Sequence, residues 1–158
     1  MEQPFLPDLV RTMGAHGFRE VAGAAKAIPD ADLVLKRQTW NTNRAIVVVS
    51  LPEVPVDFAG YIHRLRRSVA FRCGFFPIFW GIGIQVVIVA PGLAESSIDP
   101  SQHVARVDNQ WAIVQSVFLV DPVAQAYRAE RTWGQFVTGP YEEAIAGVLA
   151  RSFPAQGL

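Results

Sequence analysis

The order of apolar patterns along this chain predicts a mixed α/β fold, α+β in its mixed sheet, with a largely apolar β-sheet at the centre and helices against it. Three β-branched runs, 45–49, 82–90 and 111–120, are apolar at successive positions, as strands covered on both faces are. Two other stretches, one from Asp57 and one from Gly139-Pro140, repeat apolar residues at helical spacing instead. With 158 residues the chain has the length of one domain with a single core, so the predicted domain is 1–158.

The elements follow in order. Phe5, Leu6, Leu9, Val10 and Met13 share a helical face, Asp8 lies in the first turn, and Gly14 and Gly17 stop the helix. Phe18 to Ala25 reads as a weak strand, and Pro29-Asp30 turns the chain into a second strand, Asp32 to Trp40. The polar triplet Asn41-Thr42-Asn43 joins that strand to Arg44 to Leu51 as a hairpin. Pro52 and Pro55 end the third strand because neither donates to a ladder. In the helix from Asp57, Phe58, Ile62, Leu65 and Val69 form the inner stripe, while His63, Arg64 and Arg67 point outward. Ile82 to Ala90 is a buried strand closed by Pro91-Gly92. Leu93 to Ser101 is a loop in which Asp99-Pro100 starts a short helical turn, and Val104 to Val107 fits helix or strand. Trp111 to Val120 is the next strand, and Ala124 to Gln135 fits either type. Gly139-Pro140 starts the last helix, with Glu142 and Glu143 in its first turn and Ile145, Val148, Leu149 and Phe153 as its stripe.

Composition narrows the function. Hydrophobic residues make up 51% and charged residues 18%, against about 25% charged in ordinary soluble domains. So little charge predicts exposed apolar area that is hidden in a homo-oligomer, with a second protein as a further partner. Fourteen basic residues balance fourteen acidic ones, which leaves no global field for nucleic acid. One cysteine, Cys73, excludes an internal disulfide and offers no zinc spacing. It fits a reducing, cytoplasmic setting. The first residues lack the pattern of a secretory signal. The uncharged stretch 73–92 is long enough to span a bilayer. Pro77, Gly81, Gly83, Gln85 and Pro91 interrupt it, and its second half is β-branched, so no membrane span is expected.

The order helix, three strands, helix, strand resembles the αβββαβ core of restriction-endonuclease-like folds. The resemblance implies an acid at the start of the second strand and an acidic-x-lysine pair on the third, together holding a divalent metal. Asp30 and Asp32 stand where the first acid belongs. The third strand, Ala45-Ile46-Val47-Val48-Val49-Ser50, carries neither acid nor lysine, so Lys36 and Glu53 would have to be recruited from neighbouring positions. Asp30, Asp32 and Glu53 are therefore the catalytic candidates, against an ordinary turn role for Pro-Asp. Gly81-Ile82-Gly83 opens a strand and not a helix, so it lacks a phosphate-binding helix terminus. Arg64, Arg66 and Arg67 form the one basic concentration and the candidate anion patch. Trp111, Arg131 and Trp133 combine aromatic and charged character and are the candidates for an interface or pocket. His103 with Asp99 and Asp108 is a further polar grouping. No metal set and no cofactor are predicted. The function that follows is a non-catalytic self-associating or protein-interaction domain. A metal-dependent hydrolase or nuclease-like protein and a small-molecule binding protein are the alternatives.

Overall fold

Strand register decides this architecture, and it follows the chain without a skip. A computed structural model describes residues 3–39, 43–74, 81–104, 112–131 and 135–153, with side chains left out of the description at 131 and 135–139. Strands β1 (Arg19–Glu20), β2 (Ala31–Gln38), β3 (Asn43–Ser50), β4 (Ile82–Val89), β5 (Ala112–Asp121) and β6 (Ala126–Arg131) form one mixed sheet in sequence order. β1–β2, β2–β3 and β5–β6 pair antiparallel, whereas β3–β4 and β4–β5 pair parallel.

A parallel pair cannot be closed by a hairpin and needs a crossover over one face. Helix α3 (Phe58–Cys73) supplies the first crossover. The second leaves β4 through the turn after Ala90 and includes a 3₁₀ turn at Pro100–Gln102. Helices α1 (Leu6–Ala15) and α4 (Gln135–Ser152) cover the opposite face, and the one-turn helix α2 (Ala24–Ala27) lies between β1 and β2 in sequence.

The alternation of side chains along β3 shows why both faces are covered. Ala45, Val47 and Val49 enter the layer beneath α3 with Ile62, Leu65, Val69, Val86, Ile88 and Leu119. Ile46 and Val48 enter the other layer with Leu9, Met13, Val87, Phe118, Ile145 and Leu149. Residues 43–49 are all buried, and so is every residue of β4. The apolar excess of the composition is thus largely taken up by two core layers.

Local chemistry sets the helix boundaries. The Asp57 carboxylate accepts the Gly60 amide at 2.8 Å and caps α3. Phe58, Ile62, Leu65, Val69 and Cys73 then form the expected buried stripe. The rings of Phe5 and Phe153 meet edge to face at 5.8 Å, and the Asp8 carboxylate reaches Arg151 at 2.5 Å, so that α1 is joined to α4.

Three expectations change. The strand foreseen over Phe18 to Ala25 is only two residues long, because Gly23 adopts φ 71° and turns the chain into α2. The ambiguous stretch from Ala124 contains β6, whose residues 126–131 pair with β5. Helix α4 begins at Gln135, before Gly139-Pro140, and carries Pro140 inside it. A proline so near the amino end forfeits one backbone hydrogen bond, a modest loss against the packing of Ile145, Val148 and Leu149. Val104 lies in a bend, and 105–107 fall outside the described residues. Among the described residues no helix is long and apolar enough to cross a membrane.

Asp121 ties the carboxyl ends of the strands together. It is 2% exposed, and its carboxylate accepts the amides of Ala94, Val123 and Ala124, each at 3.0 Å. Burial alone would raise its pKa, but the donated backbone amides outweigh that and hold it below the ordinary carboxylate range. A depressed folded-state pKa stabilises the fold above the unfolded value of about 3.9 and is lost as pH falls through the folded value. Resistance of the wild type to urea unfolding is therefore expected to weaken as the pH is lowered below about 4. Asp121→Asn should be less stable than wild type at neutral pH, with the gap narrowing on acidification. A gap that does not change with pH would contradict this role. The core makes a second prediction. Phe118→Ala should cost about 3–5 kcal/mol in urea denaturation, whereas Val123→Ala, at a position 76% exposed, should stay within about 0.5 kcal/mol.

Candidate functional site

The outer side of α3 bears a concave surface. Its amphipathic pattern leaves Arg64, Arg67 and Phe71 on one outward stripe at i, i+3 and i+7. These three, with Asp30, Tyr61 and Arg66, line a hollow of about 850 Å³. Phe71 is 91% exposed, so a large aromatic ring stands in solvent beside two guanidinium groups. Arg64 approaches Asp57 only at 3.9 Å, with both side chains largely exposed, a pairing worth little in water. Arg66 meets His63 Nδ1 at 3.1 Å. The candidate anion patch and one candidate acid, Asp30, thus share one hollow.

The acids of the proposed metal site take separate roles. Asp30 adopts φ 62° at the turn into β2, a backbone conformation that aspartate tolerates. Its Oδ2 accepts the Tyr61 hydroxyl at 3.4 Å on the α3 side. Burial, and then the neighbouring Asp30 carboxylate, push the Tyr61 pKa up. Asp32 accepts the Ser50 hydroxyl, and Ser50 Oγ accepts Gln3 Nε2 at 3.1 Å from the amino-terminal side of α1. Glu53 is exposed in the loop that follows β3. No group of three His, Cys, Asp or Glu able to hold a metal occurs among the described residues.

A buried polar rung lies on the opposite face of the sheet, and no local pattern in the sequence marks it as a unit. The β4–β5 register shifts between Ile84 and Gln85, leaving Gln115 as an extra residue in β5. Gly83 has no Cβ where the Gln115 amide sits, since an added Cβ would lie 2.4 Å from its Oε1. This room lets Gln85 Nε2 donate to Gln115 Oε1 at 3.0 Å. Ser116 pairs in register with Gln85, and both are fully buried. Gln85 Oε1 and Ser116 Oγ have no hydrogen-bond partner among the described residues.

Arg44 and Glu142 complete the polar region. Arg44 is 7% exposed and Glu142 is fully buried. The Arg44 guanidinium lies 4.9 Å and that of Arg37 5.3 Å from the Tyr141 ring centroid. Burial lowers the Arg44 pKa, Arg37 lowers it further, and Glu142 opposes both. The sequence places Glu142 in the first turn of the last helix, where the dipole favours an acid. It lies instead three residues before Ile145 and seven before Leu149, on the stripe that packs against the sheet. That spacing was the available signal.

The remaining candidates take structural positions or fall outside the description. Asp99 caps the 3₁₀ turn by accepting the Ser101 amide at 2.9 Å, and the His103 ring packs edge to face on Phe58 at 4.8 Å. Burial lowers the His103 pKa, with Asp99 opposing. Arg131 is the last residue of β6 and pairs in register with Ser116. Trp111 and Trp133, with Asp108, lie outside the described residues. Cys73 is buried, and burial pushes its thiol pKa up.

Removing one member of a buried charge pair leaves the other uncompensated. Arg44→Leu should therefore destabilise by about 3 kcal/mol, and Arg44→Leu/Glu142→Leu should recover most of the loss. Ser116→Ala deletes a buried hydroxyl that has no partner among the described residues, so it should be neutral or stabilising by up to about 1 kcal/mol. Urea denaturation of the four proteins checks the set, and a double variant no better than Arg44→Leu would contradict the charge coupling. Comparison with protein-family models, with curated proteins and with solved structures finds no match.

Proposed function

We propose that this chain is a non-catalytic interaction domain whose contact surface is the concave outer side of α3. The observation that carries the reading is Phe71, 91% exposed in the hollow beside Arg64 and Arg67. Exposing a phenylalanine is unfavourable in water unless a partner covers it. Arginine and aromatic side chains are also the residues that anchor protein contacts. Self-association, expected from the composition, and binding of a second protein are both uses of such a face. The proposed setting is the cytoplasm, where a single buried thiol persists without a disulfide partner.

The metal-dependent hydrolase or nuclease-like alternative rests on an element order and on Asp30, Asp32 and Glu53. Against it, Asp30 and Asp32 bond to groups on different sides of the sheet, Tyr61 of α3 and Ser50 beside Gln3. The lack of an acid or lysine on β3 adds to this. The small-molecule reading was centred on Trp111 and Trp133, and the α3 hollow contains neither among its described lining.

The test is site-specific photo-crosslinking in cells, with p-benzoylphenylalanine placed at position 71 or at position 123, an exposed site outside the hollow. The expected result is one discrete adduct from position 71, to a second copy or to another protein, absent from position 123 and lost when Arg67→Glu is added. Equal labelling from both positions, or none from 71, would overturn the reading.

A further inference from the structure

Building on the contact face proposed above, we infer that the occupant of the α3 hollow is an acidic segment of another protein that places an apolar side chain on Phe71. Charge chooses this occupant. Three arginines, Arg64, Arg66 and Arg67, line the hollow against one aspartate, Asp30. Asp30 accepts a hydrogen bond from Tyr61. Arg72 stands exposed five residues beyond Arg67 and His63 is exposed just before Arg64, so the basic character continues along the helix. The chain as a whole is neutral, and the positive potential is therefore a local property of this face.

A second copy fits this charge poorly. A twofold contact through α3 would bring Arg64 and Arg67 against their own equivalents, and like charges so placed are repulsive. A head-to-tail contact would need an acidic patch elsewhere on the same chain.

Nucleic acid fits less well than a peptide. Binding through phosphate draws on many basic contacts spread along a backbone, whereas here three arginines and one aromatic ring line a single hollow. Its volume, about 850 Å³, suits a few side chains of a short segment. Phe71 supplies an apolar anchor point and the guanidinium groups supply forks for carboxylates, each bidentate pair adding orientation as well as affinity. Such a segment gains most when the charges it brings are matched at the rim and its apolar side chain is desolvated at the centre.

The test pans a displayed library of short random peptides on the immobilised full chain, then measures the enriched peptides by fluorescence anisotropy. The expected consensus combines aspartate or glutamate with one large apolar residue. Its affinity should fall about tenfold or more in Arg64→Glu/Arg67→Glu and in Phe71→Ala, the scale of one lost anchoring contact. Arg67→Lys should retain most of the affinity, and binding should weaken as salt is raised. All three positions are on the outer stripe, so unchanged urea midpoints will show that the variants fold.

Enrichment of basic or uncharged peptides would overturn the inference. So would acidic peptides that bind the variants as well as wild type, or labelled single-stranded DNA that binds more tightly than any enriched peptide. An adduct from position 71 that proves to be a second copy would overturn the acidic occupant while leaving the contact face standing. A library that yields nothing while position 71 still forms its adduct would do the same.

Discussion

Two adjacent parallel pairings, β3 with β4 and β4 with β5, are the constraint on which the rest of this structure depends. Each demands a crossover, and the strands so joined must be covered on both faces. The chain meets that demand with α3 over one face and α1 with α4 over the other. It also explains the composition: residues 45–49 are apolar at every position because each face of β3 is an interior face. The antiparallel strands at the two edges, β1 and β6, are shorter and less buried.

A core built this way pushes polar chemistry to a few places. At the carboxyl end of β5, Asp121 gathers three backbone amides and holds two loops against the sheet. Beneath α4, the extra residue Gln115 and the missing Cβ of Gly83 open a polar rung around Gln85 and Ser116. Arg44 and Glu142 bring opposite charges into the same region. Buried groups of this kind add little to stability compared with apolar packing, and their established use is to fix register. The outer side of α3 is different, because Arg64, Arg67 and Phe71 are exposed and play no part in holding the core. That independence makes it the natural place for a contact with another molecule.

Elements with one dominant pattern were legible in the sequence. The stripe of α3, the β2–β3 hairpin and the two-sided strands β3, β4 and β5 each follow from a period or a run. The misses share a cause, which is tertiary context overriding a local signal. Gly139-Pro140 reads as a helix start, yet α4 begins at Gln135 because packing of its stripe outweighs one forfeited hydrogen bond. Glu142 reads as a dipole-favoured surface residue when only the helix start is considered, and as a buried one when its spacing to Ile145 and Leu149 is followed. Part of the α3 site was legible, since Arg64, Arg66 and Arg67 stand out as the one basic cluster. Phe71 was not, because a phenylalanine in an amphipathic helix reads as core until the stripe is counted and it falls on the other side. The bulge at Gln115 has no local signature, since it exists only in the register of β5 against β4.

Native-state hydrogen exchange tests the central claim most directly, because it reads the opening free energy of each strand separately. If two-sided burial of the parallel strands is what the fold rests on, the interior amides of β3, β4 and β5 should all exchange through one opening whose free energy equals that of global urea unfolding. Those of β1 and β6 should open earlier. Amides of β5 that exchange at a clearly lower free energy than those of β3 and β4 would contradict the account. They would show that the second parallel pairing is an appendage to the sheet and not part of its foundation.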